Sequence, residues 1–257
     1  MTFPAGTFTP DAGPAALPRM LLAQAALELR LALRQGEQVL LTLIVPVLLT
    51  LVLVLGSPFE TDGSGRADYF LPGVLALAVL SSAFTGLAIS TGFERKYGVL
   101  KRLGATAMPR SVLLGGKTLA VIGFEAVQLS VLGALGLALG WEPRGAIVGA
   151  VVLVLLGTAA FAGLALLLAG TVRAEATLAA ANLVWFLLLL GGGVVLPLSR
   201  LPGQAAAVLQ FLPSAALADG LREVLQQGAV LPARPALILL AWSLVGFVAA
   251  ARWLRWE

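Results

Sequence analysis

Residues able to do polar chemistry are few in this chain, and one stretch gathers more of them than any other run of its length. The stretch from Phe93 to Lys117, FERKYGVLKRLGATAMPRSVLLGGK, sets six bases, Arg95, Lys96, Lys101, Arg102, Arg110 and Lys117, against one acid, Glu94. Tyr97, Leu100 and Leu103 recur at helical spacing between the charges, Gly104 ends the run, and Pro109 can open a new helix. The pattern predicts a short amphipathic helix at a membrane surface, resting on lipid headgroups or presenting its charged face to a soluble partner. Gly115-Gly116-Lys117-Thr118 resembles the end of a phosphate-binding loop, but the full spacing needs glycine at 111, where Ser111 stands, and a preceding strand. No nucleotide site is read there, and Lys117 is expected to snorkel towards headgroups.

Glu125 is the one carboxylate inside an apolar run, with Gln128 a turn further along the same face. Burying an acid is costly, so a substrate path is one reading. The other is a hydrogen-bonded clip between helices, a role open to Asn182 as well. With no second acid in the apolar runs, Glu125 makes a poor proton relay. The chain has no cysteine and no histidine, which removes disulfides, thiol nucleophiles, histidine zinc motifs and histidine triads. Scattered Ser and Thr without a base or acid cluster form no catalytic constellation, and no enzyme, metal site or bound cofactor is read.

The elements carrying these residues must be membrane helices. With 59% hydrophobic and 12% charged residues and a mean hydropathy of +0.97, the chain cannot coat a soluble globule of its size. About 20 residues at 1.5 Å rise cross a hydrocarbon layer of roughly 30 Å. Six runs meet that measure, at about 38–56, 69–92, 112–139, 145–170, 177–196 and 235–252. Pro46 and Pro72 imply local kinks that neighbouring helices can satisfy. Glycines such as Gly133, Gly136 and Gly191 to Gly193 favour close helix packing. Residues 17–35 interleave leucine and alanine with Arg19, Gln24, Glu28, Arg30 and Arg34, which predicts an interfacial elbow helix. Residues 1–16, with Pro4, Pro10 and Pro14, read as a flexible cytoplasmic tail and lack the basic start and apolar core of a signal peptide.

Charge placement gives the orientation. If the Phe93–Lys117 loop is cytoplasmic, twelve of the seventeen bases fall on that side and five on the other, whereas the acids outside the spans divide evenly. Only the bases are biased, as the positive-inside rule requires, so both termini are expected in the cytoplasm. The formal charge of +4 sits at membrane boundaries and not in a solvated domain with interleaved aromatics, which argues against nucleic acid and for the lipid bilayer as partner. Between the fifth and sixth spans, Pro197, Pro202, Pro213 and Pro232 punctuate two pieces, 203–212 and 214–227, too short to cross. Ser214 can cap the second, Asp219 and Arg222 are i,i+3 neighbours, and Gly228 can end it. A shaped external gate and a plain long loop are both compatible with this segment.

Glu94-Arg95, Gly98, Leu100, Arg102-Leu103, Ala105-Thr106 and Pro109-Arg110, followed by Gly116-Lys117, resemble the first cytoplasmic loop of ABC-2 type permeases, including the daunorubicin-resistance type. The family pattern is approximately E-R-E-x-G-T-L-E-R-L-x-x-T-P-x-x-R. This chain departs from it at Lys96 and Lys101, which replace acids, and at Val99, which replaces a threonine. The resemblance covers most of the chain from elbow to sixth span. It implies an all-helical, six-span membrane subunit of residues 17–257 in an ABC exporter, moving a hydrophobic or amphipathic substrate outward. Its partners would be two ATPase subunits, which use ATP and Mg, and a second permease, identical or homologous. The docking residues it implies are Glu94, Arg95, Gly98, Leu100, Lys101, Arg102 and Leu103. It also implies an external re-entrant hairpin, with Pro197, Pro213, Asp219 and Arg222 as gate residues. Two rivals remain at this stage. One is a secondary transporter driven by an ion gradient, which would need embedded ion-coordinating groups and often internal repeats. The other is a membrane anchor subunit of a complex.

Overall fold

The computed structural model describes residues 15–34, 36–56, 65–106, 108–193 and 203–253. The proposed tail, apart from Ala15 and Ala16, lies outside these residues, as does Pro197. Among the described residues the regular structure is helical throughout. In chain order the helices are α1 (Leu17–Arg34), α2 (Gly36–Gly56), α3 (Arg66–Val79), a π-helical stretch (Leu80–Gly86), α4 (Leu87–Lys96), α5 (Val99–Gly104), α6 (Arg110–Ala138), α7 (Ile147–Thr171), α8 (Ala174–Gly191), α9 (Gly203–Leu209), α10 (Pro213–Leu225) and α11 (Ala233–Trp253).

Five helical stretches among the described residues are long and apolar enough to cross a membrane: Arg66–Lys96, Arg110–Ala138, Ile147–Thr171, Ala174–Gly191 and Ala233–Trp253. The first of these runs continuously through α3, the π stretch and α4, and is the most deeply buried of the five. In it the departure from α geometry lies at Leu80–Gly86 and includes the Ser81-Ser82 pair, which hydropathy alone does not mark. A π turn adds one residue to the hydrogen-bonded ring and so redirects the side chains it carries.

Contacts sort the connections into two ends. At one end Arg95 in α4 donates to the Val172 carbonyl between α7 and α8, Lys96 pairs with Glu175 at 2.7 Å, and Arg110 reaches the Ala251 carbonyl of α11. At the other end the Glu142 amide donates to Asp68 at 2.8 Å and the Arg144 amide to the Leu225 carbonyl. The basic loop and the end of α11 therefore share one pole, and the α9–α10 segment belongs to the opposite one.

The core gathers α3, the π stretch, α7, α10 and α11. α7 and α11 pack most extensively of all, and they touch backbone to backbone: a β-carbon at Gly163 would stand 2.9 Å from the Gly246 carbonyl carbon. α1 lies along α6 in the same direction, with Leu21 over Gly115, Gln24 over Gly116 and Leu29 over Gly123. At Gly116 a β-carbon would come within 2.6 Å of Gln24 Cγ, so the glycines that look like a phosphate loop serve as the seat of α1.

Two helix prolines create the same problem and receive the same answer. Proline has no N–H, so in a helix the carbonyl four residues earlier loses its partner. Pro46 frees the Thr42 carbonyl, and Gln128 Nε2 of α6 donates to it at 2.8 Å. Pro72 frees the Asp68 carbonyl, and Gln226 Nε2, just beyond α10, donates to it at 2.7 Å. Each bond also ties two parts of the chain together.

This pairing gives a test. Gln226→Leu is expected to destabilise the protein by about 1–3 kcal/mol, because a carbonyl is left unsatisfied. In a Pro72→Ala background, where residue 72 regains its N–H, the loss should be markedly smaller. Thermal unfolding of the four variants in detergent checks it, and equal losses in both backgrounds would refute the explanation.

Candidate functional site

The basic loop is built as a short helix hinged on a glycine. Gly98, at φ 72°, takes the left-handed conformation that ends α4 and starts α5, a geometry glycine adopts without strain. Leu100, 1% exposed, plants α5 against the bundle, and Leu103 is half-buried. Tyr97, Lys101 and Arg102 face outwards, and the Tyr97 ring stacks on Phe93. Glu94 and Arg95 turn inwards, Arg95 towards the Val172 carbonyl and Glu94 towards Lys117. The seven residues expected to dock a partner thus divide by role: Lys101 and Arg102 form the exposed charge, Gly98, Leu100 and Leu103 hold it in place, and Glu94 and Arg95 tie the segment to the bundle.

Lys117 corrects an expectation. Its side chain does not snorkel to the surface; it is 1% exposed, and its ammonium sits 2.6 Å from Glu94 and 2.8 Å from Glu28. The reason is the glycine seat one position earlier, which brings α1 so close that Glu28 lies within reach before Lys117 can extend past it. Gln24 Nε2 adds a bond to Glu28 at 2.8 Å, one turn along α1. One lysine therefore joins α1, α4 and α6. Sequence reading missed this, although the i,i+4 spacing of Gln24 and Glu28 on one face of α1 was a visible sign.

Glu125 is buried in α6 and is hydrogen-bonded through both oxygens, to Ser82 in the π stretch at 2.8 Å and to Thr158 in α7. The π turn is what aims Ser82 across at α6. This is the arrangement of a clip between three segments. Gln128 is occupied with the Thr42 carbonyl through its amide nitrogen. Asn182 is exposed on α8, apart from Glu125 and Gln128. The three residues expected to line a path are therefore not brought together.

At the opposite pole α10 is embedded, with Pro213 buried at its first turn. Arg222, 6% exposed, donates to Asp219 at 3.0 Å and to the Gly193 carbonyl beyond the end of α8 at 2.7 Å. The Asp219–Arg222 pair thus joins a buried guanidinium to a carboxylate that is still about a third exposed. Burial pushes the Asp219 carboxyl up while the adjacent guanidinium draws it back down, and burial pushes the Arg222 guanidinium below its ordinary value. The chain holds α10 against α8 through a charge that few other partners could satisfy. Among the described residues no group of three or more acids is placed to hold a metal ion.

Comparison with known proteins agrees in one direction. The sequence profile described as "ABC-2 family transporter protein" matches residues 57–252. The Bacillus subtilis (strain 168) protein named "Putative transport permease YvfS" is 24% identical over 249 residues, covering 92% of this chain and 97% of that one.

Removing Lys117 tests the three-way contact. Lys117→Met should leave Glu28 and Glu94 half-buried against each other and destabilise the chain by up to about 3 kcal/mol, the low end of the cost of breaking a buried ion pair from one side, since both acids keep some exposure. Glu94→Gln in the same background should recover part of that loss, because it removes the uncompensated charge. Unfolding midpoints in detergent measure both, and a Lys117→Met chain as stable as the natural one would show that the contact contributes nothing.

Proposed function

Because the chain belongs to the ABC-2 transporter family, whose members are membrane permeases working with a separate ATPase, we propose that it is the permease subunit of an ATP-driven exporter. The observation that carries this reading is the exposed Lys101 and Arg102 on α5, held in place by a buried contact that continues into α1 and α6. A partner pressing on α5 moves α4, and Lys117 passes that displacement to two further helices. Energy from a soluble motor needs such a mechanical path, because a state change is driven only by contacts that differ between the states.

In this reading the motor is a pair of ATPase subunits that bind ATP and Mg, and a second permease, identical or homologous, completes the complex. α2, Gly36–Gly56, is the sixth crossing: its 21 residues span about 31 Å at the helical rise. α1 is the elbow at the cytoplasmic face, the pole with the basic loop is cytoplasmic together with both termini, and α9 and α10 form the external hairpin with its gate at Asp219 and Arg222. The cargo is hydrophobic or amphipathic and moves outward. Ion-gradient transport finds less support, since both oxygens of Glu125 are taken up by hydroxyls and Asn182 lies elsewhere.

Two measurements test the proposal. The absence of cysteine makes single-cysteine labelling clean: in intact cells an impermeant maleimide should label Asp62→Cys and Gln227→Cys and spare Thr106→Cys and Arg173→Cys. Labelling at Thr106→Cys from outside would invert the topology and remove the motor from its dock. Separately, Lys101→Glu/Arg102→Glu should weaken co-purification of the ATPase at least about tenfold while the chain still inserts and folds, because like charges then meet across the interface. Undiminished capture with normal export would show that α5 is only a tether.

A further inference from the structure

A cleft opens between α1, α2, the π stretch, α4 and α6. Glu28, Glu94 and Lys117 line it together with Leu87, Val121 and Phe124. Along α6 the lining runs from Lys117 to Phe124, roughly 10 to 21 Å from the start of that helix at 1.5 Å per residue. It therefore lies along the first half of α6, on the side of the basic loop.

The charge in this cleft does not balance. Two carboxylates share one ammonium, a formal excess of one negative charge among side chains at most 20% exposed. The hydrogen bonds leave acceptors over: Gln24 and Lys117 both reach Glu28 Oε1, and Lys117 reaches Glu94 Oε2. Glu28 Oε2 and Glu94 Oε1 accept nothing from the described residues. A half-buried charge without a counter-charge is unfavourable, and a cation entering from the loop side would relieve it without displacing Lys117. The Leu87, Val121 and Phe124 wall suits an apolar body attached to that cation.

We propose that the cleft binds a singly charged organic cation with a hydrophobic body, its ammonium seated at the free oxygens of Glu28 and Glu94. Anionic amphiphiles are repelled by the same oxygens. Zwitterionic lipids are disfavoured because their phosphate stands next to the ammonium and would be drawn in against the two acids. The site is opposite in sign to the exposed loop beside it, so ligand binding and surface attraction separate by charge. That this ligand is cargo rests on the permease reading; that the cleft binds it does not.

The test uses the full chain in phosphatidylcholine nanodiscs, with empty discs as blank, and equilibrium dialysis of dodecyltrimethylammonium, dodecanol and dodecyl sulfate. The natural chain should prefer the cation over the alcohol by about tenfold or more, the scale of one uncompensated charge nearby, and should exclude the sulfate. Glu94→Gln and Glu28→Gln each make the cluster neutral and should bring the cation down to the level of the alcohol. Glu94→Gln/Lys117→Met restores the single negative charge and should restore the preference. Lyso-phosphatidylcholine should fail to compete. Unfolding midpoints identify any variant that does not fold, and either single substitution suffices for the comparison. A cation affinity indifferent to both glutamine variants, or absent in the double variant, overturns the proposal. Capture of the ATPase is measured apart, so loss of cation binding and loss of the permease reading are distinguishable results.

Discussion

In a chain this apolar, a polar group taken out of water must find its partner inside the molecule, and that requirement arranges the rest. Helices satisfy their own backbone, but every proline, helix end and π turn leaves something over. Side chains from distant parts of the chain take up these remainders: Gln128 for the carbonyl behind Pro46, Gln226 for the one behind Pro72, Arg222 for Gly193, Arg95 for Val172 and Trp242 for Phe211. Hydrophobic burial alone cannot specify how apolar helices sit against one another in lipid, since lipid is as apolar as they are. Backbone repair supplies part of that specification here.

The charged groups obey the same rule with higher stakes. Lys117 could have been a surface lysine on a helix end, and its neutralisation by two acids from other helices makes it an internal joint. The pole that carries the exposed bases is thereby linked to the interior by charge, whereas the opposite pole is closed by Arg222 in an embedded short helix. Glu125 lies between them, where the π turn lets Ser82 meet it.

How much of this could be read in advance follows the physics. Crossing segments were legible because hydropathy and length are properties of a single stretch; five of the six expected runs correspond to helices that meet the criteria, with ends shifted by a few residues. α1 and the end of α5 at Gly104 were legible from periodicity and from glycine, whereas the left-handed turn at Gly98 that separates α4 from α5 was not. The fate of polar side chains was not, because it depends on which helix lies opposite. The sequence tells that Pro46 and Pro72 must each release a carbonyl, and it is silent on Gln128 and Gln226 as the residues that collect them. For Lys117 the error has a clear source: snorkelling assumes water within reach, and the glycines before it bring in α1 instead. Nothing local announces the π turn, whose Ser82 acts through a partner 43 positions away.

The contact of Gly163 with Gly246 also bears on how the chain is made. α7 leaves the ribosome about 80 residues before the part of α11 that completes it, a delay of roughly 4 to 17 s at ordinary elongation rates of about 5–20 residues per second. During that interval the bare backbone at Gly163 faces lipid or another protein with no side chain to fill the gap. Synthesis therefore passes through a species in which the most extensive helix pair of the finished fold has yet to form.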